Sequence, residues 1–220
     1  MPSDETAERR LGIVGAGKVG TTIARAAMAV GYDVAISGSG SAERIALIVD
    51  VLAPGARAVT TDEVVGFADL LVLAVPMHRF RELPRDLFDG KILVDAMNYW
   101  EDIDGVDQEL ATAPAGTSVV VQRRFASARV VKSLNHLGYY EFWEGRRSRG
   151  APSRIAIAAA GDDRAAVAAV MLLIDRLGFD AVDAGPLEAG AALQPDGPVF
   201  GFAHSVGELS DLLWSEASSA

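Results

Sequence analysis

The run Leu11-Gly12-Ile13-Val14-Gly15-Ala16-Gly17-Lys18-Val19-Gly20 decides the fold of this chain. Residues 11–14 form a short apolar run that predicts a buried strand, and residues 21–30 carry apolar side chains at helical spacing. Gly15 permits the tight turn that leaves the strand, and Gly17 has no side chain to keep a diphosphate away from the backbone. Gly20 lets the helix pack closely on the strand, so each glycine has a separate mechanical role.

The surroundings of this glycine pattern predict a dinucleotide-binding site. A strand precedes the glycines, a helix follows them, and residues 33–37 form a second predicted strand. The N–H groups and the positive dipole end of the helix then face the phosphates. The alternative is a Gly-rich turn in an α/β protein of another kind. The residues expected to contact the cofactor here are Gly15, Ala16, Gly17, Lys18, Val19 and Gly20.

The end of the second predicted strand bears on which dinucleotide is bound. NAD enzymes usually place Asp or Glu there, about 20 residues past the glycines, to bind the ribose 2′-hydroxyl. This chain has Ser37-Gly38-Ser39-Gly40-Ser41 instead, and Arg44 follows within a turn. No carboxylate repels a 2′-phosphate, so the sequence favours NADP over NAD. The residues expected at the 2′-phosphate are Ser37, Gly38, Ser39 and Arg44. The alternative is that these are ordinary loop residues and a solvated arginine.

Composition limits the classes of partner. The chain has 220 residues, a formal net charge of −10 and no cysteine. An acidic protein is a poor partner for nucleic acid or an anionic membrane, and the lack of cysteine excludes disulfides and thiol catalysis. No metal-binding motif is apparent. Residues 1–8 are polar and lack the apolar stretch of a secretion signal, and no apolar run approaches the ~20 residues of a membrane span. We expect a soluble cytoplasmic protein with a disordered tail at residues 1–8.

From residue 9 the sequence alternates predicted strands and helices through six strands, which is typical of a doubly wound parallel sheet of the Rossmann type. We assign residues 9–150 to this dinucleotide-binding core and residues 151–220 to a small C-terminal α/β lobe with acceptor-side loops. Residues 139–150 fit neither period and predict a loop, and residues 188–198 should be irregular. A last helix is expected from about residue 199 to 214, with His204 inside it. Its surplus of apolar residues suggests a dimer contact.

Ligands of an open parallel sheet bind at the carboxyl ends of its strands, so the residues that follow each strand are candidates. The candidates after the fourth, fifth and sixth strands are Val75, Pro76, His78, Asn98, Asn135 and His136. Pro76 is expected along the nicotinamide, and the two asparagines can hydrogen-bond a carboxamide or a substrate carbonyl. We expect Asn135 and His136 to be catalytic, His136 as a proton donor because an unperturbed histidine has a pKa near neutrality. The alternative for both histidines is a surface or structural role.

Several segments resemble the deazaflavin-dependent NADP oxidoreductases, which pass hydride between NADP(H) and coenzyme F-420. The resemblance covers nearly the whole chain. Its segments are Gly12-Ile-Val-Gly15-Ala-Gly17-Lys-Val-Gly20, Leu73-Ala-Val-Pro76, Val94-Asp95-Ala-Met-Asn98, Val130-Val-Lys132-Ser-Leu-Asn135-His136, Ala160-Gly161-Asp162-Asp163 and Asp183-Ala-Gly185-Pro186-Leu187. The Val-Lys-x-x-Asn run is also similar to the reductase domain of the membrane-bound six-helix metalloreductases.

The resemblance implies a Rossmann core with a small C-terminal lobe, a homodimer and NADP on the glycine loop. It also implies that the acceptor docks over the nicotinamide near Pro76 and His136. Family members often carry Ser-Arg-Arg after the second strand, where this chain has Gly38-Ser39-Gly40. The arginines of residues 146–149 have two interpretations, since they can meet an anionic acceptor such as coenzyme F-420 or form a solvated basic loop.

Three functional hypotheses follow from the sequence. The first is an NADP-dependent oxidoreductase with coenzyme F-420 or a flavin as the hydride acceptor. The second keeps the cofactor and reduces another small molecule, such as a cyclic imine or a keto compound. The third is a non-catalytic module that senses NADP. The glycine loop is common to all three, so the acceptor does not follow from the fold.

Overall fold

The computed structural model describes residues 9–215, and the predicted tail at residues 1–8 lies outside the described residues. Within them, one sheet contains eight strands: β1 (Arg10–Val14), β2 (Asp33–Ser37), β3 (Arg57–Ala58), β4 (Leu70–Leu73), β5 (Ile92–Asp95), β6 (Arg129–Ser133), β7 (Ala156–Gly161) and β8 (Asp180–Gly185). Their order is β3-β2-β1-β4-β5-β6-β7-β8. The first six strands are mutually parallel, β7 is antiparallel to β6, and β8 is parallel to β7.

This order confirms the predicted doubly wound sheet, because 3-2-1-4-5-6 is the arrangement of the Rossmann fold. The C-terminal part adds β7 and β8 to the same sheet. The division of the chain at residue 150 stays a prediction.

Helices and 3₁₀ turns connect the strands. The α-helices are α1 (Lys18–Ala29), α2 (Ala42–Leu52), α3 (Thr61–Phe67), α4 (Glu101–Asp104), α5 (Gln108–Ala111), α6 (Thr117–Arg124), α7 (Tyr139–Glu144), α8 (Arg164–Leu177) and α9 (Val206–Ser215). Two 3₁₀ helices lie at Met77–Glu82 and Leu187–Leu193. Within residues 9–215, no helix has the length and apolar character needed to cross a membrane.

The sheet is buried between two apolar layers. In β4, Val72 faces the layer formed with α1, α2 and α8, whereas Leu71 and Leu73 face the layer formed with α3, α6 and the first 3₁₀ helix. All three side chains are fully buried. Alternate residues of a strand point to opposite faces, so a strand covered on both sides reads as a continuous apolar run.

Three elements differ from the sequence prediction. Residues 139–144 form α7 instead of a loop, because Phe142 is buried against Phe179 and Trp143 packs against two guanidinium groups. Those groups belong to Arg25 and Arg146, at 3.2 and 3.8 Å from the Trp143 ring. Residues 187–193 form a 3₁₀ helix within the stretch predicted to be irregular.

The last helix begins later than predicted, at Val206, and His204 precedes it. The side chain of Ser205 accepts from the Glu208 backbone N–H at 3.3 Å, and the Glu208 carboxylate accepts from the Ser205 N–H at 2.8 Å. This reciprocal pair is a capping box, which fixes the start of a helix. The prediction of a start near residue 199 missed this signal.

Candidate functional site

The glycine loop between β1 and α1 is shaped as the sequence predicts. Gly15 has a φ of +127°, and a Cβ there would lie 2.2 Å from the carbonyl oxygen of Ala74. A Cβ at Gly20 would lie 1.9 Å from the carbonyl oxygen of Gly15. A Cβ at Gly17, in contrast, would meet nothing within 4 Å. The outer two glycines therefore serve the fold, and the middle one faces open space where a diphosphate fits.

The start of α1 offers unneutralised N–H donors to an anion. Gly17 occupies the N-cap position without a side-chain cap, and the first turn contains no acidic residue. The first N–H groups of a helix have no partner within the helix and carry its positive dipole end. Lys18 stands in the same turn, with its ammonium 5.3 Å from the ring centre of Tyr139, the first residue of α7. This cation–π contact holds the charge of Lys18 near the phosphate-binding end.

A cleft of about 620 Å³ continues from the glycine loop across the carboxyl edge of the sheet. Eight of the predicted cofactor residues line it: Gly15, Ala16, Gly17, Gly38, Ser39, Arg44, Val75 and Pro76. Ser37 is fully buried, and its hydroxyl accepts from Thr61 at 3.2 Å, so it supports the cleft from below. Lys18, Val19 and His78 are exposed outside the cleft lining.

Two arginines line the cleft from different elements. Arg44 of α2 packs against Gly40, where a Cβ would lie 3.2 Å from its Cδ and Nη1 atoms and where φ is +93°. Arg79 lies in the first 3₁₀ helix and pairs with Glu82, also in the lining, at 3.0 Å. The sequence prediction missed Arg79, although its position shortly after β4 was a usable signal.

Asn98 and Asn135 meet at the ends of the adjacent strands β5 and β6. The side-chain amide of Asn98 donates to the backbone carbonyl of Asn135 at 2.9 Å, and the amide of Asn135 donates to the Asn98 Oδ1 at 2.9 Å. A second N–H of Asn135 donates to the Leu193 carbonyl at 2.6 Å. The Asn135 Oδ1 is buried and has no donor among the described residues. It is therefore an orphaned acceptor in the predicted carboxamide region.

The backbone that presents Asn135 is strained. Leu134 has a φ of +62°, the left-handed region that non-glycine residues rarely adopt. Its side chain is buried in the core, which holds the residue in this conformation. The resulting reversal at the end of β6 lets Asn135 reach Asn98. Strain of this kind is found mainly where a structure fixes a functional group.

A buried ion pair lies directly below the two asparagines. Lys132 and Asp95 are register partners in β6 and β5, both side chains are fully buried, and their charged atoms are 3.6 Å apart. Lys132 also donates to the Met97 carbonyl, and Asp95 accepts from the Met97 N–H at 2.9 Å and from Ser118 at 2.6 Å. Burial lowers the pKa of Lys132, while Asp95 opposes that shift. The network fixes both backbone polar groups of Met97, the residue before Asn98.

His136 is placed beside this network but is buried, with 2% of its surface exposed. Neither ring nitrogen has a hydrogen-bond partner among the described residues. Burial, with Lys132 and His204 nearby, lowers the pKa of His136 to about 3. A histidine with this pKa is neutral near pH 7, and the predicted role as proton donor stays a prediction.

His78 is tied to the segment that follows β5. Its Nδ1 lies 2.9 Å from the Asp104 Oδ1, which also accepts from the His78 backbone N–H at 3.0 Å. Asp104 accepts in addition from the Trp100 N–H at 2.9 Å, and its side chain is 2% exposed. His78 therefore joins two strand-end loops next to Pro76.

A second pocket, of about 550 Å³, is lined by residues that directly follow Asn98 in the chain and by part of the second 3₁₀ helix. Gln194 follows Leu193, the acceptor for Asn135, and lines this pocket together with Trp100, Glu101 and Asp196. Among the described residues that line it, none is basic.

Within residues 9–215, no group of three or more His, Cys, Asp or Glu side chains is arranged to hold a metal ion.

The arginines of residues 146–149 have partners elsewhere. Arg146 stacks on Trp143, Arg147 donates to the Glu144 carbonyl at 2.6 Å, and Arg149 pairs with Asp175. They line a separate pocket with α8 residues. The structure thus does not bring them to the glycine loop or to the asparagine pair.

The sheet order and the glycine loop define a Rossmann dinucleotide-binding protein. Comparisons with known proteins identify its class as NAD(P)-dependent oxidoreductase. Residues 10–99 match the family described as NADP oxidoreductase coenzyme F420-dependent. This match confirms the resemblance predicted from the sequence over the segment that carries the glycine loop, Arg44, Pro76 and Asn98. No curated protein sequence matches the chain.

Solved structures extend the similarity to most of the chain. A hypothetical protein from Sinorhizobium meliloti is 26% identical with a TM-score of 0.77, and the match covers 89% of this chain and 94% of that one. A candidate F-420-dependent NADP reductase from an Arthrobacter species is 25% identical with a TM-score of 0.68, covering 82% and 86%. An imine reductase from a Pseudomonas species, 17% identical with a TM-score of 0.53, covers 82% and 56% and shares the fold alone.

Proposed function

We propose that this chain uses NADP, in preference to NAD, in hydride transfer to coenzyme F-420 or a flavin-like acceptor. The observation that carries the proposal is a single cleft in which the open glycine loop, a strand end without carboxylates and Arg44 meet. The family match at residues 10–99 supports NADP, and it supports coenzyme F-420 as the acceptor through the family description.

The residues present fit NADP. The free N–H groups at the start of α1 and the space beside Gly17 suit the diphosphate. Ser39 and Arg44 suit the 2′-phosphate, which needs donors and positive charge. The orphaned Asn135 Oδ1 suits a carboxamide N–H. NADPH, when bound, supplies the hydride, and the protein's part is to bind, orient and exclude water.

The chain's own groups then determine orientation. Asn98 and Asn135 fix each other and present one free acceptor in the predicted nicotinamide region. Lys132 and Asp95 hold the backbone at Met97, so the position of Asn98 depends on the buried ion pair. Such supporting groups matter because small displacements at a reacting centre reduce rates strongly.

A cyclic imine is the second candidate acceptor, and one observation favours it. The second pocket, whose lining starts at Tyr99 next to Asn98, carries Glu101, Asp196 and Trp100 and has no basic residue in its described lining. Carboxylates and an aromatic face attract a cation, such as a protonated imine, and repel the polyacidic tail of coenzyme F-420.

Assembly and location are further proposals. We propose a homodimer, supported by large apolar side chains that are exposed, among them Ile103, Val106 and Phe202 at 68, 77 and 70%. Val199 and Leu209, two of the apolar residues of the predicted last helix, are buried in the core with residues of β7 and β8 and do not belong to this exposed set. We further propose that the protein acts in the cytoplasm. Light scattering on the purified chain measures the assembly.

Rapid mixing of the enzyme, NADPH and oxidised coenzyme F-420 tests the main proposal. We expect the deazaflavin absorbance to fall in proportion to enzyme concentration, with NADPH preferred over NADH. Parallel reactions with a flavin and with a cyclic imine use the loss of NADPH absorbance. Turnover of the imine alone would replace the first acceptor by the second. Failure to bind either dinucleotide would refute the proposal.

A further inference from the structure

Arg79 lines the cofactor cleft from an element other than α2. It belongs to the 3₁₀ helix Met77–Glu82, which follows β4, whereas Arg44 belongs to α2, which follows β2. Both side chains line the same cleft of about 620 Å³. The cleft thus has an arginine from each of two strand-end connections, those that follow β2 and β4, the strands on either side of β1.

The described residues that line this cleft include two arginines and one carboxylate. Glu82 is the one carboxylate among the described lining residues, and it is already paired with Arg79, whose Nε and Nη2 donate to it at 3.2 and 3.0 Å. The two side chains are 45 and 60% exposed and three residues apart. Exposed pairs of this type are weak, so the Arg79 guanidinium can exchange Glu82 for a more highly charged anion.

The end of β2 supplies little positive charge of its own. Gly38, Ser39 and Gly40 contribute backbone and one hydroxyl, and Arg44 reaches the region from α2. A phosphate monoester carries about −1.5 to −2 charges at pH 7, which one arginine only partly neutralises. A second guanidinium in the same cleft would complete the neutralisation.

We propose that Arg79 binds the 2′-phosphate of NADP together with Arg44 and so determines the preference for NADP over NAD. The inference rests on the proposed function, since it needs a dinucleotide in this cleft. It places a specificity-determining residue on the connection after β4, in addition to the residues predicted from the sequence at and after the end of β2. The competing role is stacking of Arg79 on the adenine, which is common to NAD and NADP.

Titration of intrinsic or cofactor fluorescence with NADPH and NADH tests the assignment. In Arg79→Ala we expect the Kd for NADPH to rise about tenfold and the Kd for NADH to change less than about twofold. Arg81→Ala is the matched control: Arg81 lies in the same 3₁₀ helix, but it pairs with Asp107 at 3.1 Å and Glu109 at 2.7 Å and does not line the cleft. It should leave both constants unchanged.

A second variant should change the affinity for NADPH in the opposite direction. Glu82→Gln removes the carboxylate that competes for Arg79, so NADPH should bind about two- to threefold more tightly while NADH stays the same. Adenosine 2′,5′-bisphosphate and 5′-AMP, used as competitors, repeat the comparison without the nicotinamide half. Of the two competitors, only the bisphosphate should bind more weakly to Arg79→Ala than to wild type.

The outcomes separate this inference from the proposed function. Suppose that wild type binds NADPH. If Arg79→Ala then lowers the affinities for NADPH and NADH equally, or lowers neither, the assignment to the 2′-phosphate is wrong and the proposed function stands. If wild type binds neither dinucleotide, both are wrong. Circular dichroism of the variants identifies any that fail to fold, and Glu82→Gln then decides through its gain in affinity.

Discussion

Asn98 and Asn135 hold each other across the ends of β5 and β6 by two amide hydrogen bonds of 2.9 Å. One bond uses the backbone carbonyl of Asn135 and the other the side-chain oxygen of Asn98, so neither amide can turn without breaking a contact. The Leu193 carbonyl takes the remaining N–H of Asn135. The pair is therefore a rigid polar element in the predicted nicotinamide region.

Removing either asparagine should weaken this element measurably. Asn98→Ala deprives two buried or half-buried groups of their partners, so we expect a loss of about 1–2 kcal/mol in the free energy of unfolding. A double-mutant cycle with Asn135→Ala, measured by urea unfolding, should give a coupling energy near 1 kcal/mol. Turnover should fall more than NADPH affinity. Additive stability losses would show that the two amides act independently.

The sequence predicted the parts of the site that depend on local geometry. The roles of Gly15 and Gly20 follow from strand–turn–helix packing, and β2 was predicted at its observed bounds, Asp33–Ser37. The sequence did not predict the Asn98–Asn135 contact, because adjacency of β5 and β6 brings the strand ends together without fixing the amides. Their orientation depends on the φ of +62° at Leu134, which no sequence pattern indicates.

Long-range pairing explains the other differences. The helix α7 is stabilised by Arg25, more than a hundred residues earlier in the chain, which stacks on Trp143. Hydrophobic periodicity within residues 139–150 cannot register such a partner. The position of Arg79 shortly after β4 was a usable signal for a cleft residue, but its pairing with Arg44 of α2 in one cleft is visible only in the fold.

Alanine substitutions at Gly17 and Gly20 should affect different properties: cofactor affinity at Gly17 and stability at Gly20. Gly17 has φ −82° and ψ −173°, which alanine adopts freely, and its Cβ would contact nothing within 4 Å. We therefore expect Gly17→Ala to change stability by less than about 1 kcal/mol, while NADPH affinity falls at least tenfold because the methyl group occupies the diphosphate space. Thermal unfolding and fluorescence titration measure the two effects.

Gly20→Ala is the matched control for the glycine loop. Its Cβ would lie 1.9 Å from the Gly15 carbonyl oxygen, so the backbone must move. A destabilisation of about 1–3 kcal/mol is expected before any cofactor is added. Equal stability of the two variants would show that the middle glycine is as structurally constrained as the last.

Breaking the buried ion pair should destabilise the protein strongly. Lys132→Met leaves the fully buried Asp95 carboxylate without its cation, and we expect a loss of about 3–5 kcal/mol by urea unfolding. Adding Asp95→Asn should restore much of this. An asparagine keeps an acceptor for the Met97 N–H and presents an amide to Ser118 without a charge. A double variant no more stable than Lys132→Met would contradict this account.

Stability should depend on pH through His136. Burial lowers the pKa of His136 to about 3 in the folded chain, from an ordinary value of 6.5. The unfolded state therefore binds more protons between these values, so the free energy of unfolding decreases as the pH falls through this window. The full contribution of neutral His136 to the free energy of unfolding is present above pH 6.5. Below that pH, this free energy decreases by at most about 1.4 kcal/mol per pH unit.

Urea unfolding of wild type and His136→Gln at intervals from pH 7.5 to 4.5 measures this contribution. Titration of carboxylates is common to both proteins and cancels in the difference between them. We expect the stability of wild type to fall more steeply than that of His136→Gln once the pH drops below about 6.5. Parallel pH profiles would mean that His136 is protonated as easily in the folded chain as in the unfolded one, which its buried position between β6 and the His204 segment argues against.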